Sequence, residues 1–251
     1  MRTACAIAGG GPAGAVLALM LARGGVEVTL LEKHGDFLRD FRGDTIHPST
    51  LQLLDELGLA EEFHRLPHRK AYGVGLETDQ GPVPLADLRR LPGRYQYIAF
   101  VPQWEFLNLI VSEARRYPTF RLLMNAEAHD VLREGDRVRG LRFRTPEGER
   151  EIRAELVVGA DGRHSAVRRC LWGDGHVRPA AFGTWQGLSR IDVDVARSHH
   201  GLMITGREGA CGLLPAGGGL LHRFRLLEQR LPGLPRVLLV DQERQPAGQE
   251  R

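Results

Sequence analysis

The chain opens on an unbroken apolar run. Ala4 to Ala8 contains no charged or polar side chain beyond a thiol and stops at glycine, which predicts a short strand covered on both faces. Gly14 to Arg23 has helical composition and is stopped by Gly24-Gly25, and Val26 to Leu31 predicts a second strand. Pro48 to Leu57 predicts a helix: proline stands near its start, Leu51, Leu53, Leu54 and Leu57 recur along it, and Gly58 is placed to end it. The texture then changes. Between Tyr72 and Ala99 the β-like pieces are short and broken by Gly81-Pro82, Pro84 and Pro92-Gly93, as in an excursion into another layer. Gln103 to Arg116 is helical again, with Phe106, Leu107, Ile110 and Val111 on one side. Arg121–Met124, His129–Glu134, Arg137–Arg144 and Glu149–Arg153 follow as strand candidates, the last two joined by a turn at Pro146-Glu147-Gly148. Leu156 to Gly159 predicts one more buried strand. From about Gly173 onward the pattern is glycine-rich and weakly periodic, and residues 241–251 are polar and read as a frayed tail.

Strands alternating with helices predict an α/β fold with a largely parallel sheet. The apolar stretch from Ala4 to Ala22 does not change that picture. Gly9-Gly10-Gly11-Pro12 interrupts it, and Arg2 alone makes a poor signal-peptide head, so neither a leader nor a membrane span is indicated. With 251 residues and 42% apolar content the chain can bury a substantial core. Its net charge is only +3, Lys33 and Lys70 are its only lysines, and the arginines are scattered among acids rather than gathered in a stripe. That distribution argues against a nucleic-acid surface. Cys5, Cys170 and Cys211 are far apart and form no Cys-x-x-Cys pair, which argues against a zinc site or disulfide framework and fits a reducing, cytoplasmic compartment.

Candidate chemistry begins at Gly9-Gly10-Gly11-Pro12-Ala13-Gly14, a Gly-x-Gly-x-x-Gly sequence between a predicted strand and a predicted helix. The context carries the mechanism. Gly9 permits a tight turn, Gly11 lets backbone N–H groups approach a pyrophosphate, and Gly14 lets the helix pack closely on the strand. The phosphates would sit at the positive end of the helix dipole. An acid is required at the end of the second strand to accept ribose hydroxyls, and Glu32 stands there with Lys33 beside it. The acid disfavours a 2′-phosphate at this site; the spacing alone does not separate FAD from NAD.

Three further segments narrow the choice. Phe41-Arg42-Gly43-Asp44-Thr45-Ile46-His47-Pro48 leads into a helix, Pro102-Gln103-Trp104-Glu105-Phe106-Leu107 opens another, and Val157-Val158-Gly159-Ala160-Asp161-Gly162-Arg163-His164-Ser165 ends a strand. Together with the glycine turn, over roughly the first 170 residues, they resemble the class A FAD-dependent aromatic hydroxylases, the p-hydroxybenzoate hydroxylase-like flavoprotein monooxygenases. The resemblance implies a Rossmann-like, three-layer FAD-binding domain formed discontinuously by residues 1–71 and 101–175, and a partial β-rich substrate domain from 72–100 and 176–240. It implies that Arg42 contacts the pyrophosphate or ribityl region and that Gln103 bonds the same stretch. Asp161, with Gly162, would lie near the dinucleotide, and Ala128 near the adenine. It further implies reduction of FAD by NADH or NADPH, formation of a C4a-hydroperoxyflavin from O₂, and hydroxylation of a small aromatic or polycyclic substrate. No side chain is singled out as an essential acid or base. A non-catalytic or decayed flavin-binding protein and an NAD-dependent dehydrogenase stand as the alternative readings.

The family's third flavin motif, a strand ending in Gly-Asp followed by small residues, has no counterpart. Gly43-Asp44, Gly135-Asp136 and Gly173-Asp174 follow no long apolar strand, Gly35-Asp36 lies in the loop just after Glu32, and the nearest echo is Pro235 to Asp241. The substrate domain is therefore expected to be incomplete, the flavin ring poorly enclosed, and NAD(P)H consumption to yield hydrogen peroxide. Other features carry less. Trp185 reads as a core anchor, His199-His200 as a solvated loop, and His164 gains interest only from its place beside Asp161-Gly162.

Overall fold

The computed structural model describes residues 1–38, 45–78, 81–173, 182–190, 200–206, 209–216 and 220–228, with residues 76–78, 81–82 and the strands after 173 described by their backbone alone. A six-stranded sheet forms the centre. Its strands are β1 (Arg2–Ala8), β2 (Val28–Leu31), β8 (Phe120–Leu123), β9 (Glu127–Glu134), β10 (Arg137–Thr145) and β11 (Gly148–Gly159), in the order β8-β2-β1-β11-β10-β9. The first four in that order run parallel. β10 is antiparallel to both β11 and β9.

The apolar run of β1 is explained by cover on both faces. Cys5 and Ile7 turn toward α1 (Pro12–Arg23) and α4 (Gln103–Ala114), meeting Ala15, Ala18, Leu19, Phe106, Leu107 and Ile110. Ala6 and Ala8 turn the other way, into a cluster with Val131, Leu141, Phe143, Ile152 and Val167 from the β9–β10–β11 meander and α5 (Ala166–Trp172). Helices α1 and α4 lie on one face of the parallel strands, and β11 carries the sheet over into the meander, which with α5 closes the other face.

The sequence suggested separate strands at Glu149–Arg153 and Leu156–Gly159, but β11 is continuous through both. Its first part pairs antiparallel with β10 as far as Gly140↔Arg153, and its last part pairs parallel with β1 from Arg2↔Arg153 to Ala8↔Gly159. The two parts have different neighbours, so their polarity patterns differ and hide the continuity.

After β2 the chain passes β3 (Thr45–Ile46), α2 (Pro48–Glu56), α3 (Ala60–Arg65) and β4 (Arg69–Ala71), then leaves for a second sheet through β5 (Gly73–Thr78) and β6 (Gly81–Asp87). It returns at β7 (Ile98–Phe100), which pairs with both β3 and β4 as a small neck sheet. The second sheet has the order β12-β15-β14-β13-β5-β6, where β12 is Phe182–Arg190, β13 His200–Gly206, β14 Gly209–Ala216 and β15 Leu220–Glu228. The excursion after Tyr72 and the strands after residue 173 thus share one sheet, joined where β5 runs parallel to β13. Pro235 to Asp241 and His199 lie outside the described residues, and for Trp185 and His200 only the backbone is described. Among the described residues no helix is long and apolar enough to cross a membrane, and no group of three or more metal-ligating side chains occurs.

Candidate cofactor site

Three strand ends converge. Ala8 pairs with Leu31 on one side and Gly159 on the other, so Gly9, Glu32 and Ala160 each follow directly from one aligned edge of the parallel sheet. Gly9 donates its N–H to the Leu31 carbonyl at 2.8 Å, and Ala160 donates to the Ala8 carbonyl at 2.8 Å. The crevice outside the carboxyl ends of parallel strands is where α/β sheets bind ligands.

The four glycines of the turn are needed for different reasons. Gly9 has φ +103°, and a Cβ there would run into the Ala160 carbonyl oxygen. A Cβ at Gly14 would collide with the Gly9 carbonyl oxygen, and one at Gly10 would stand 2.9 Å from the Glu32 Cβ and Oε2. These three are required by the protein's own packing. Gly11 is different: a Cβ there meets no protein atom within 4 Å, and its backbone (φ −69°, ψ −179°) suits any residue. The volume in front of Gly11 is open, at the N-terminus of α1. That helix has no side-chain cap and no acid in its first turn, has Pro12 at its start, and leaves Pro12 and Ala13 exposed. An uncapped helix start facing open volume fits an anionic diphosphate.

Glu32 is buried, with 5% of its surface exposed. Its Oε2 accepts the Gly10 N–H at 2.9 Å, and its Oε1 accepts the His34 backbone N–H at 3.0 Å and lies 2.8 Å from the His34 Nδ1. The backbone of Glu32 is fixed as well: its N–H donates to the Leu123 carbonyl, and its carbonyl accepts from Ala126, each at 2.8 Å. Lys33 is exposed. A carboxylate is thus held against the glycine turn, at the position where the motif leads one to expect an acid.

Asp161 is placed beside the turn, with its neighbour Ala160 against Gly9, but its carboxylate is engaged by α5. Oδ1 accepts from the Ser165 hydroxyl at 2.5 Å, and Oδ2 accepts the N–H groups of Ala166 and Val167 at 2.7 and 3.2 Å. Ser165 in turn accepts the Arg168 N–H at 3.0 Å, so the two side chains together cap α5. Gly162 follows at φ +77°. His164 is exposed on the same loop. Gln103 opens α4, half-buried, directly after Pro102. Ala128 lies on β9 opposite Phe143, packed against the cluster on the meander side of the sheet. Arg42 lies outside the described residues.

The structure therefore brings Gly9 to Gly14, Glu32 and the Ala160-Asp161-Gly162 turn to one place. It adds two residues the sequence reading passed over. His34 closes on Glu32, and Asn125, in the left-handed conformation at φ +53°, donates its N–H to the His34 carbonyl at 2.9 Å. A histidine and an asparagine in loops give no periodic signal, so only the fold reveals them.

The geometry agrees with what the chain is similar to. Residues 2–221 match the family described as FAD binding domain. Over 168 residues the chain is 36% identical to 6-methylpretetramide 4-monooxygenase of Streptomyces rimosus, covering 67% of this chain and 40% of that protein. It is 31% identical to rifampicin monooxygenase of Streptomyces venezuelae over 175 residues, 66% of this chain and 33% of that one. Among solved structures, the OxyS anhydrotetracycline hydroxylase of Streptomyces rimosus superposes with a TM-score of 0.73 at 26% identity, over 91% of this chain and 46% of that one. The p-nitrophenol 4-monooxygenase PnpA of Pseudomonas putida shares the fold, with a TM-score of 0.76 at 21% identity over 93% of this chain and 59% of that one. The chain spans 40% of the length of the first of these curated relatives and 33% of the second. A β1–α1 glycine turn open in front of Gly11, an acid at the end of β2 and a family match over most of the length agree: the chain belongs to the FAD-binding family of the FAD-dependent aromatic monooxygenases.

Proposed function

We propose that this chain holds FAD by its adenosine diphosphate half and serves an NAD(P)H-dependent monooxygenase that hydroxylates an aromatic substrate. The observation that carries the reading is the division among the glycines: Gly9, Gly10 and Gly14 answer to protein atoms, whereas Gly11 faces open volume at an uncapped helix start. Backbone N–H groups of the turn and the first turn of α1 would take the pyrophosphate, and Glu32 the ribose hydroxyls. Arg42, Gln103, Ala128 and the Asp161-Gly162 turn remain the candidates for the rest of the cofactor, on the strength of their place in the family's motifs. Bound FAD supplies electron transfer from a nicotinamide donor and activation of dioxygen, chemistry no side chain provides. The protein's share is to bind, orient and exclude water.

Two of the similar proteins are named for 6-methylpretetramide and anhydrotetracycline, which favours a polycyclic aromatic substrate here. The thiols of Cys5 and Cys170 fit a reducing cytoplasm. The reading is tested by purifying the chain, recording its visible absorption for the two flavin bands, and titrating it with FAD and FMN. FAD is expected to bind more tightly, since Glu32 and the turn address the adenosine diphosphate that FMN lacks; equal affinity would refute it.

A further inference from the structure

We propose that His34 is a positioning residue for the adenosine ribose, holding the Glu32 carboxylate in the orientation that accepts the ribose hydroxyls. This rests on the FAD reading above and goes beyond it by assigning a role to a residue outside the family motifs.

The two side chains of the pair differ sharply in exposure. The Glu32 side chain is 6% exposed and the His34 side chain 46% exposed, so a histidine that could face water turns its ring onto a buried carboxylate instead. A carboxylate only accepts, so the ring nitrogen at 2.8 Å from Oε1 must carry the proton. The same oxygen takes the backbone N–H of His34 at 3.0 Å. Main chain and ring of one residue thus converge on one oxygen, while Gly10 holds the other at 2.9 Å.

The loop that carries His34 is itself pinned. Its carbonyl accepts the Asn125 N–H at 2.9 Å, with Asn125 held at φ +53° to deliver it. The next residue is Gly35, where a Cβ would stand 3.1 Å from the Asn125 Oδ1, so the β8–β9 turn packs directly on it. His34 is therefore a fixed donor. Two donors on Oε1 fix both the torsion and the tilt of the carboxyl plane, and that plane decides whether a ribose hydroxyl meets an oxygen along its lone pair. Without the ring, Glu32 keeps its bonds to the Gly10 and His34 N–H groups but loses the side-chain donor on Oε1.

Two variants separate donor from ring. His34→Phe keeps the ring and loses the N–H; His34→Asn keeps a side-chain N–H and loses the ring. Calorimetric titration of the full chain with FAD, with ADP and with 2′,3′-dideoxy-ADP gives the readout. His34→Phe is expected to weaken FAD and ADP about tenfold, the size of one well-placed hydrogen bond to a charged group. It should leave the dideoxy nucleotide, which has no hydroxyl to place, bound as in the unsubstituted protein. His34→Asn is expected to bind FAD and ADP nearly as the unsubstituted protein does. An equal loss for ADP and dideoxy-ADP in His34→Phe would make the role a general structural one and overturn the proposal, as would unchanged ADP affinity. If His34→Phe does not fold, His34→Ala replaces it in the same comparison. Failure of the unsubstituted protein to bind either FAD or ADP would instead overturn the cofactor reading itself.

Discussion

Substitutions at Gly11 and Gly14 should separate a glycine kept for a ligand from one kept for the fold. At Gly14 the added Cβ would collide with the Gly9 carbonyl oxygen and approach the Ile7 Cγ2 at 3.3 Å, and the Gly9 main chain cannot yield without opening the β1–α1 turn. Overpacking of this kind costs about 1–3 kcal/mol. For a chain of this size that lowers Tm by roughly 2–12 °C. At Gly11 the Cβ meets nothing within 4 Å, and the backbone angles of φ −69° and ψ −179° are open to any residue. Gly11→Ala should therefore change the stability of the unliganded protein by less than about 1 kcal/mol, because the freedom lost by the unfolded chain offsets the N-cap preference for glycine over alanine. The ligand should reverse that order. Gly11→Val places two methyl groups where the pyrophosphate must approach the backbone, and loss of charge-assisted contacts there should weaken FAD binding by roughly 10- to 100-fold. Thermal unfolding by circular dichroism without ligand, beside FAD titration of each variant, gives both axes. The reasoning fails if Gly11→Val unfolds as early as Gly14→Ala, or if it binds FAD as tightly as the unsubstituted protein.

Two further predictions concern Asp161 and His64. Asp161→Ala removes the acceptors for the Ser165 hydroxyl and for the Ala166 and Val167 N–H groups, and should destabilise the protein by about 0.5–2 kcal/mol, as loss of a helix cap does; an unchanged Tm with lost FAD affinity would instead give its carboxylate to the cofactor. His64 has its pKa held below the ordinary 6.5 by burial first and by the Lys70 charge next, and its Nε2 lies 2.7 Å from the Tyr97 hydroxyl. Folding thus favours neutral His64, so its stabilisation is present above pH 6.5 and is lost as pH falls from there through the lowered folded value. Tm measured from pH 8 to pH 5 should fall less steeply in His64→Phe, and identical slopes would refute the assignment.

How much of this was legible in the sequence depends on the range over which each feature is specified. The glycine turn and Glu32 could be read because their constraints are local: a strand, a turn and a helix in succession, then an acid where the next parallel strand ends. Strand β11 could not be read as one element, because Ile152 and Ala154 answer to the meander while Val158 packs toward the helices. A change of neighbours mid-strand breaks the alternation that pattern reading relies on. Helix α3, six residues long, is too short to show a period at all. Asp161 shows the limit of a motif. The resemblance pointed to a place near the dinucleotide; the fold sets Asp161 beside the glycine turn, with both carboxylate oxygens engaged by α5. A motif residue can be kept because it builds the loop that lines a site.

The register of the parallel strands links the core to the site. Side chains alternate across a strand with a period of two, so a slip of β2 against β1 by one residue would exchange its two faces. Leu30, now packed with Cys5 and Ile7 toward the helices, would turn to the meander, and Leu31 would leave Ala6 and Ala8. The same slip would move Glu32 by about one residue rise, roughly 3.3 Å. That exceeds the tolerance of its 2.9 Å bond to the Gly10 N–H. The alanines matter in this respect. Ala6 and Ala8 are wholly buried, and their small side chains let Phe143 and Leu141 close over that face of β1. Packing that looks purely structural, several residues from any ligand, thereby fixes which atoms of the second strand can face the cofactor.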